Sequence, residues 1–250
     1  MPMIINTTGL VIYSHIQGEA NRSISILSPD YGVIRVFVLG AMKLTGSNAA
    51  ATQLFSYSKF CIKIQKGSYY LDSSKVIRIF YELRNDIKKY TLACYLADIC
   101  WYTGTADQPA HDISRLMLNT LHFLCMENAD CDLLKSIFEL RFMADTGYAP
   151  NVIGCNECYK YDGEDMFLLI KSGKVLCSEH FDGEEDEYNV RLSPVLLHTI
   201  RFIVLCDLKR VFSFRISEEV QKQLSEIAER YFLEHIPDKS FPCLDFYHTL

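Results

Sequence analysis

"FSYSKFCIKIQKGSYYLDSSKVIRIFYELRNDIKKYTLACYLADIC", residues 55–100, changes its period halfway along. In its first part Phe60, Ile62 and Ile64 fall on one face and Lys59, Cys61 and Lys63 on the other, the alternation of a half-buried strand. The turn signal "QKGSYY" follows, and a second strand leaves it. From about residue 77 the apolar positions recur at steps of three and four. Ile79, Phe80, Leu83, Ile87, Tyr90, Leu92, Tyr95, Leu96 and Ile99 predict a helix with a wide apolar face. Strands before the switch and helices after it predict an α+β chain, with the two kinds of element segregated along the sequence.

Working towards the N-terminus, "TTGLVIYSHI" (7–16) and "SISILSPDYGVIRVFVLGAM" (23–42) are rich in β-branched and aromatic residues, with a turn at Ser-Pro-Asp-Tyr-Gly. Four or five short strands with Gly-bearing turns predict a small barrel or sandwich. Phe37, between Val36 and Val38, is expected in its core. Arg35 and Phe37 share one face of their strand and Val36 and Val38 the other. "LTGSNAAATQLF" (44–55) is a polar loop with room for a short helix.

Towards the C-terminus, "DISRLMLNTLHFLCME" and "DCDLLKSIFELRFMADTG" each open on an Asp suited to an N-cap. A helix over 193–205 is expected from its Ser193 cap and Pro194, and one over 217–236 from its Ser217 cap. "PDKSFPCLDF" terminates the last of these.

Between the helices, residues 155–180 read "CNECYKYDGEDMFLLIKSGKVLCSEH". Cys155 and Cys158 form one pair at i, i+3, and Cys177 and His180 a second at the same spacing. Each pair suits a tight turn that aims two ligands at one point. "MFLLIKSGKVL", with its turn at Ser172-Gly173, is a hairpin that brings the pairs together. The expected result is one structural zinc per chain held by Cys155, Cys158, Cys177 and His180, with Glu179 or Asp182 as competitors for the fourth place. Four such ligands leave no position open for catalysis. The chain also lacks H-E-x-x-H, the His-x-Glu of zinc deaminases, a phosphate-binding G-x-x-x-x-G-K-[ST] loop and a G-x-S-x-G elbow. A non-enzyme is therefore expected. The other seven cysteines mostly sit in apolar segments and are read as small core residues rather than as a disulfide framework.

Apolar residues make up 49% of the 250, too many for a disordered chain, and no apolar run approaches the ~18–20 residues of a membrane span. The N-terminus does not read as a signal peptide, so a cytoplasmic protein without membrane contact is expected. The net charge of −6 is unevenly distributed. Residues 1–80 hold eight basic and three acidic residues, a net of +5; the other 170 hold 17 and 28, a net of −11. That asymmetry points to nucleic acid or another anion at the basic end.

At "FELRFMADTGYAPNVIGCNEC" the order of parts resembles the RecO family of bacterial DNA-repair and recombination mediators. A helix ending in Glu-Leu-Arg-Phe is followed by Gly, an aromatic, Pro, Asn and a C-x2-C pair. "TTGLVIYSHIQGEANRSISILSPDYGVIRVFVLGAMK" is similar to that family's N-terminus. The resemblance spans almost the whole chain. It implies an OB-fold over 1–78, a helical domain over 79–149 and 185–250, and a zinc-binding insertion over 150–184. It further implies a nucleoid-associated bacterial protein that binds single- and double-stranded DNA and anneals complementary strands. With RecR, such a protein helps load RecA onto DNA coated by single-strand-binding protein.

On an OB barrel, single strands run along a basic groove while bases stack on aromatic rings. Arg35, Lys43, Lys59 and Lys63 are the candidate phosphate contacts, and Tyr31, Phe37, Tyr57 and Tyr69 the candidate stacking rings, each with barrel core as its alternative place. After Gly40, where many members of the family carry a basic cluster, only Lys43 is present. An acidic, aromatic tail of single-strand-binding protein would need an apolar pocket flanked by a base, for which Arg201, Lys209 and Arg210 are candidates. The alternative reading is a zinc-stabilised OB-fold scaffold acting mainly through protein–protein contacts.

Overall fold

The computed structural model describes residues 3–17, 21–40, 47–163, 165–183, 188–236 and 239–250. The chain divides into two compact units, Met1–Ala129 with Phe241–Leu250, and Asp130–Ser240.

The first unit is built on a closed barrel of five strands in the order β1-β2-β3-β5-β4. These are β1 (Met3–Gln17), β2 (Asn21–Ser28), β3 (Gly32–Val38), β4 (Ser56–Gln65) and β5 (Ser68–Ile79), with a short helix α1 (Ser47–Ala51) between β3 and β4. All neighbours are antiparallel except β3 and β5, whose parallel contact closes the barrel. This is the topology of an OB-fold. Period-two alternation sends Ile24, Ile26, Ile34, Val36, Val38, Phe60 and Ile62 inward to a common core. β1 serves two neighbours: Met3 to Leu10 pair with β4 and Leu10 to Gln17 with β2. At that corner sits Gly9, where any Cβ would lie 2.2 Å from Ile26 Cγ2. A side chain there would force the strands apart.

Four sequence expectations are corrected in this unit. Phe37 is not core: Val36 and Val38 take the inward face, so Phe37 lies outside beside Arg35. The helix does not begin near 77. β5 continues to Ile79, paired with Ser56, because ladder bonds to β4 satisfy its backbone. One 3-10 turn (Tyr81–Asn85) follows, and α2 (Ile87–Thr103) starts where the Asp86 side chain accepts from Lys89 N. α3 (His111–Leu124) has Ala110 at its N-cap without a side-chain bond, which leaves Asp112 in the first turn, favoured by the helix dipole rather than by capping. Cys61 points outward from β4 rather than into a core, and of the seven non-motif cysteines only Cys100, and Cys131 in the second unit, are buried.

The β2–β3 turn makes a test of the packing. Gly32 has φ +66°, and a Cβ there would meet Thr105 O at 2.2 Å and Gln108 O at 2.6 Å. Gly32→Ala combines a left-handed backbone with overpacking against two carbonyls. It should cost about 2–4 kcal/mol in a urea-unfolding measurement. A loss below ~1 kcal/mol would mean that the 105–108 segment yields freely.

The second unit holds α4 (Cys131–Asp145), a three-stranded sheet, α5 (Pro194–Leu205) and α6 (Glu218–His235). Asp130, Ser193 and Ser217 cap the three helices as their sequences predict. The hairpin of β6 (Met166–Leu169) and β7 (Val175–Cys177) turns at Gly173, whose N–H donates to Leu169 O at 2.9 Å. A third strand, β8 (Asn189–Leu192), pairs with β6; its polar–apolar alternation spans only four residues. α4 carries the "ELR" of the sequence motif to two different tasks. Glu139 joins a buried ion cluster. Arg141 pairs with Asp145 and donates to Val204 O and Cys206 O, satisfying carbonyls at the end of α5. A last helix, α7 (Pro242–Tyr247), belongs to the first unit, where Phe241 meets Tyr95 edge-on. "FPCLDF", expected only within the stretch that ends α6, is thus a Pro-initiated helix of its own. Among the described residues no helix is long and apolar enough to cross a membrane.

Candidate metal centre and nucleic-acid interface

The two ligand pairs meet because each sits in a turn that the hairpin holds. In the first, Tyr159 N donates to Cys155 O and Cys155 N to Lys160 O, both at 2.9 Å. In the second, the N–H groups of His180 and Phe181 both donate to Cys177 O at 3.0 Å. Asn156 ties the turns together: its N–H donates to Val175 O at 2.8 Å and its Oδ1 accepts from Val175 N at 3.0 Å. The Phe167 and Phe181 rings stack at 4.0 Å beside them.

The ligand atoms of Cys155, Cys158, Cys177 and His180 lie within 4.8 Å of one another. Cys158 Sγ is 3.8 Å from Cys177 Sγ, and His180 Nδ1 is 3.3 Å from Cys177 Sγ and 3.9 Å from Cys155 Sγ. A tetrahedron with metal–sulfur bonds of ~2.3 Å and a metal–nitrogen bond of ~2.1 Å has S···S edges of ~3.8 Å and S···N edges of ~3.5 Å. The cluster fits such an ion, with His180 binding through Nδ1. The donors are also prepared for it. Burial opposes ionisation of Cys155, yet backbone N–H groups of Cys158, Cys177 and Glu157 bring its thiol down to about 6. A hydrogen bond from His180 lowers the Cys177 pKa, and the same contact raises that of His180. Thiolates are the metal-binding form. Glu179 is engaged by Lys160 at 3.3 Å, so this competitor for the fourth position is held elsewhere.

On the barrel the candidate residues divide. Arg35 points outward from β3, and its guanidinium lies 5.8 Å from the Phe37 ring centroid. Phe37 faces Tyr70 across the parallel β3–β5 contact, with ring centroids 5.6 Å apart. Tyr70 in turn is the register partner of Lys63 on β4. This row lies towards the end of the barrel where the β4–β5 hairpin turns and β2 begins. Lys63 is in an ion pair with Asp72, which occupies part of its charge. Lys59 is exposed and stands opposite Lys75, in a groove with Asn6, Thr8 and Ser74. Tyr31 and Tyr57 belong to the other end of the barrel, Tyr31 in the β2–β3 turn and Tyr57 at the start of β4. Tyr69 packs against the barrel core and donates to Asp107 at 2.7 Å; burial pushes its phenol up to about 12. Lys43 lies outside the described residues.

Tyr70 is absent from the sequence-derived candidates and Tyr69 is among them, although alternation allows only one of two adjacent tyrosines on the outer face. The missing signal was register: Leu71 packs against the core, but a bulge between Cys61 and Ile62 shifts the pairing and obscures the parity.

Lys209 and Arg210 are exposed in the turn after α5. Arg201 is not beside them. It is 5% exposed, and its guanidinium donates to backbone carbonyls and to Asp162, so it offers no free charge to an incoming tail.

Comparison with known proteins places this geometry in a family. Residues 1–80 match Recombination protein O N terminal, and residues 84–242 match Recombination protein O C terminal. A protein named DNA repair protein RecO from Acetivibrio thermocellus is 32% identical over 246 residues, covering 98% of this chain and 97% of its own. Proteins of the same name from Alkaliphilus metalliredigens and Caldicellulosiruptor bescii are 23% and 24% identical, covering 97% and 99% of this chain and 98% and 99% of theirs. With both parts of the chain matched and a 32% identical relative aligned almost end to end, the chain belongs to the recombination protein O (RecO) family.

Proposed function

We propose that this chain is a non-catalytic DNA repair and recombination mediator of the bacterial cytoplasm. In this reading it binds single- and double-stranded DNA and anneals complementary strands. With RecR it helps load RecA onto DNA coated by single-strand-binding protein. The OB module of 1–78 makes the main nucleic-acid contact. The helical domain of 79–149 and 185–250 receives protein partners, with Lys209 and Arg210 flanking the site for the tail of single-strand-binding protein. The insertion of 150–184 holds one structural zinc through Cys155, Cys158, Cys177 and His180.

The observation that carries the DNA reading is the outward Phe37–Tyr70 pair with Arg35 over Phe37, on the outside of an OB barrel. A barrel core needs no aromatic pair outside it, whereas bases stack on such rings irrespective of sequence. Titration of a fluorescent single-stranded oligonucleotide at low and moderate salt tests it. Phe37→Ala with Tyr70→Ala should lose ~1–3 kcal/mol per stacked base, with the salt dependence nearly unchanged. Arg35→Ala should weaken all sequences about equally and lower the slope of log affinity against log salt by about one unit or less. Lys88→Ala with Lys89→Ala, on α2, is the comparison. A greater loss from that pair would move the DNA site to the helices.

A further inference from the structure

Arg201 lies within α5, and its side chain is 5% exposed. Nε donates to Val152 O at 2.5 Å, and one terminal nitrogen donates to Asp162 Oδ1 at 2.7 Å. The other donates to Ile153 O at 3.2 Å and to Tyr161 O. The Tyr161 ring lies 4.0 Å from the guanidinium carbon. Residues 152–153 and 161–162 are the two flanks of the turn that carries Cys155 and Cys158. One rigid fork therefore holds both ends of a loop that has no ladder of its own.

We propose that Arg201 is the positioning residue of the metal centre, clamping the Cys155–Cys158 turn so that its two thiolates meet Cys177 and His180. This rests on the reading that the four side chains hold zinc. Three backbone carbonyls and a carboxylate converge on one planar group with donors in fixed directions. An ammonium in its place has a single centre and cannot serve both flanks at once. The clamp and the metal then support each other. Metal binding favours the clamped loop, and the clamped loop presents its thiolates without further ordering. Residues that orient ligands in this way alter metal affinity by ~10–100-fold when replaced.

The experiment is zinc release from the full-length protein to a chromophoric chelator in excess, well below the unfolding temperature. The wild type should contain close to one zinc per chain, and Arg201→Lys should release it ~10–100-fold faster. Asp162→Asn, which removes one of the contacts, should release it a few-fold faster and covers the case in which Arg201→Lys does not fold. Phe138→Leu, a core change on α4 in the same unit, should lower thermal stability and leave the release rate unchanged. Cobalt-loaded Arg201→Lys should keep the thiolate charge-transfer absorption of the wild type, since no ligand has been removed, while binding cobalt more weakly. A wild type purified without zinc would overturn both the zinc reading and this inference. A zinc-bearing wild type with unchanged release in both Arg201→Lys and Asp162→Asn would overturn this inference alone. So would acceleration by Phe138→Leu matching that of the clamp variants.

Discussion

Serine at Cys177 should leave the purified protein without bound metal and remove the metal link between the Cys155–Cys158 turn and the β6–β7 hairpin. Cys177 is buried and central to the cluster: its sulfur lies 3.8 Å from Cys158 Sγ and 3.3 Å from His180 Nδ1. A hydroxyl there is a poorer ligand, and the three remaining donors cannot close the tetrahedron. Structural zinc in isolated small domains contributes ~10–16 kcal/mol to folding. The whole of that need not appear here, because α4, α5 and α6 have an apolar core of their own in Phe138, Phe142, Ile200, Leu224 and Phe232. The expected result is a fall from about one metal ion per chain to near none by elemental analysis, with a clear drop in melting temperature. Removal of metal from the wild type by a strong chelator should reproduce that drop. Acid should act in the same direction. Metal requires thiolate and neutral imidazole, so protons compete for the ligands as pH falls. A serine variant that retains stoichiometric metal would remove Cys177 from the ligand set.

Lys135→Met should destabilise the second unit by about 3–5 kcal/mol. Lys135 and Glu139 have side-chain exposures of 1% and 0%, and the ammonium is 2.9 Å from Glu139 and 2.7 Å from Glu229. The cluster joins α4 to α6. Removing the ammonium leaves two acidic side chains facing each other, one of them wholly enclosed, which costs far more than the loss of a surface pair. Replacing Lys135 and Glu139 together by methionine should recover most of the loss, because Glu229 is partly exposed and can turn to water. Burial presses the Lys135 pKa down, but the two carboxylates more than offset it, so the pKa lies above its ordinary value. While both carboxylates are ionised, the stabilisation is therefore fully present below about pH 10 and is lost as pH rises through the elevated lysine value. Urea unfolding of the single and double variants checks this. A single variant within ~1 kcal/mol of wild type, or a double variant no better than the single, would show that the cluster does not act as a charge pair.

Both effects were unevenly visible in the sequence. The ligand set needed only spacing: two i, i+3 pairs joined by a hairpin of strand-forming residues. Lys135 and Glu139 are an i, i+4 pair that reads like any exposed ion pair on a helix. Their burial follows from the packing of α4 on α6, a contact between residues nearly a hundred positions apart. The same distinction separates Arg201 from Lys209 and Arg210. All three look alike as basic residues in or just after one helix, and only the path of 152–162 over that helix encloses the first.

The order of β module, helices, metal-binding hairpin and further helices follows from local physical chemistry. Alternation, helical spacing, caps and ligand spacing act over a few residues and are written in consecutive positions. The tertiary structure decided what depends on register and enclosure. Pairing with β4 carried β5 on to Ile79 against a helical pattern that starts earlier, because a backbone held in a ladder keeps its hydrogen bonds. Closure of the barrel decided which face of β3 is inside, and so turned Phe37 outward to Tyr70. A strand's period of two leaves its faces equivalent until a neighbouring sheet covers one of them.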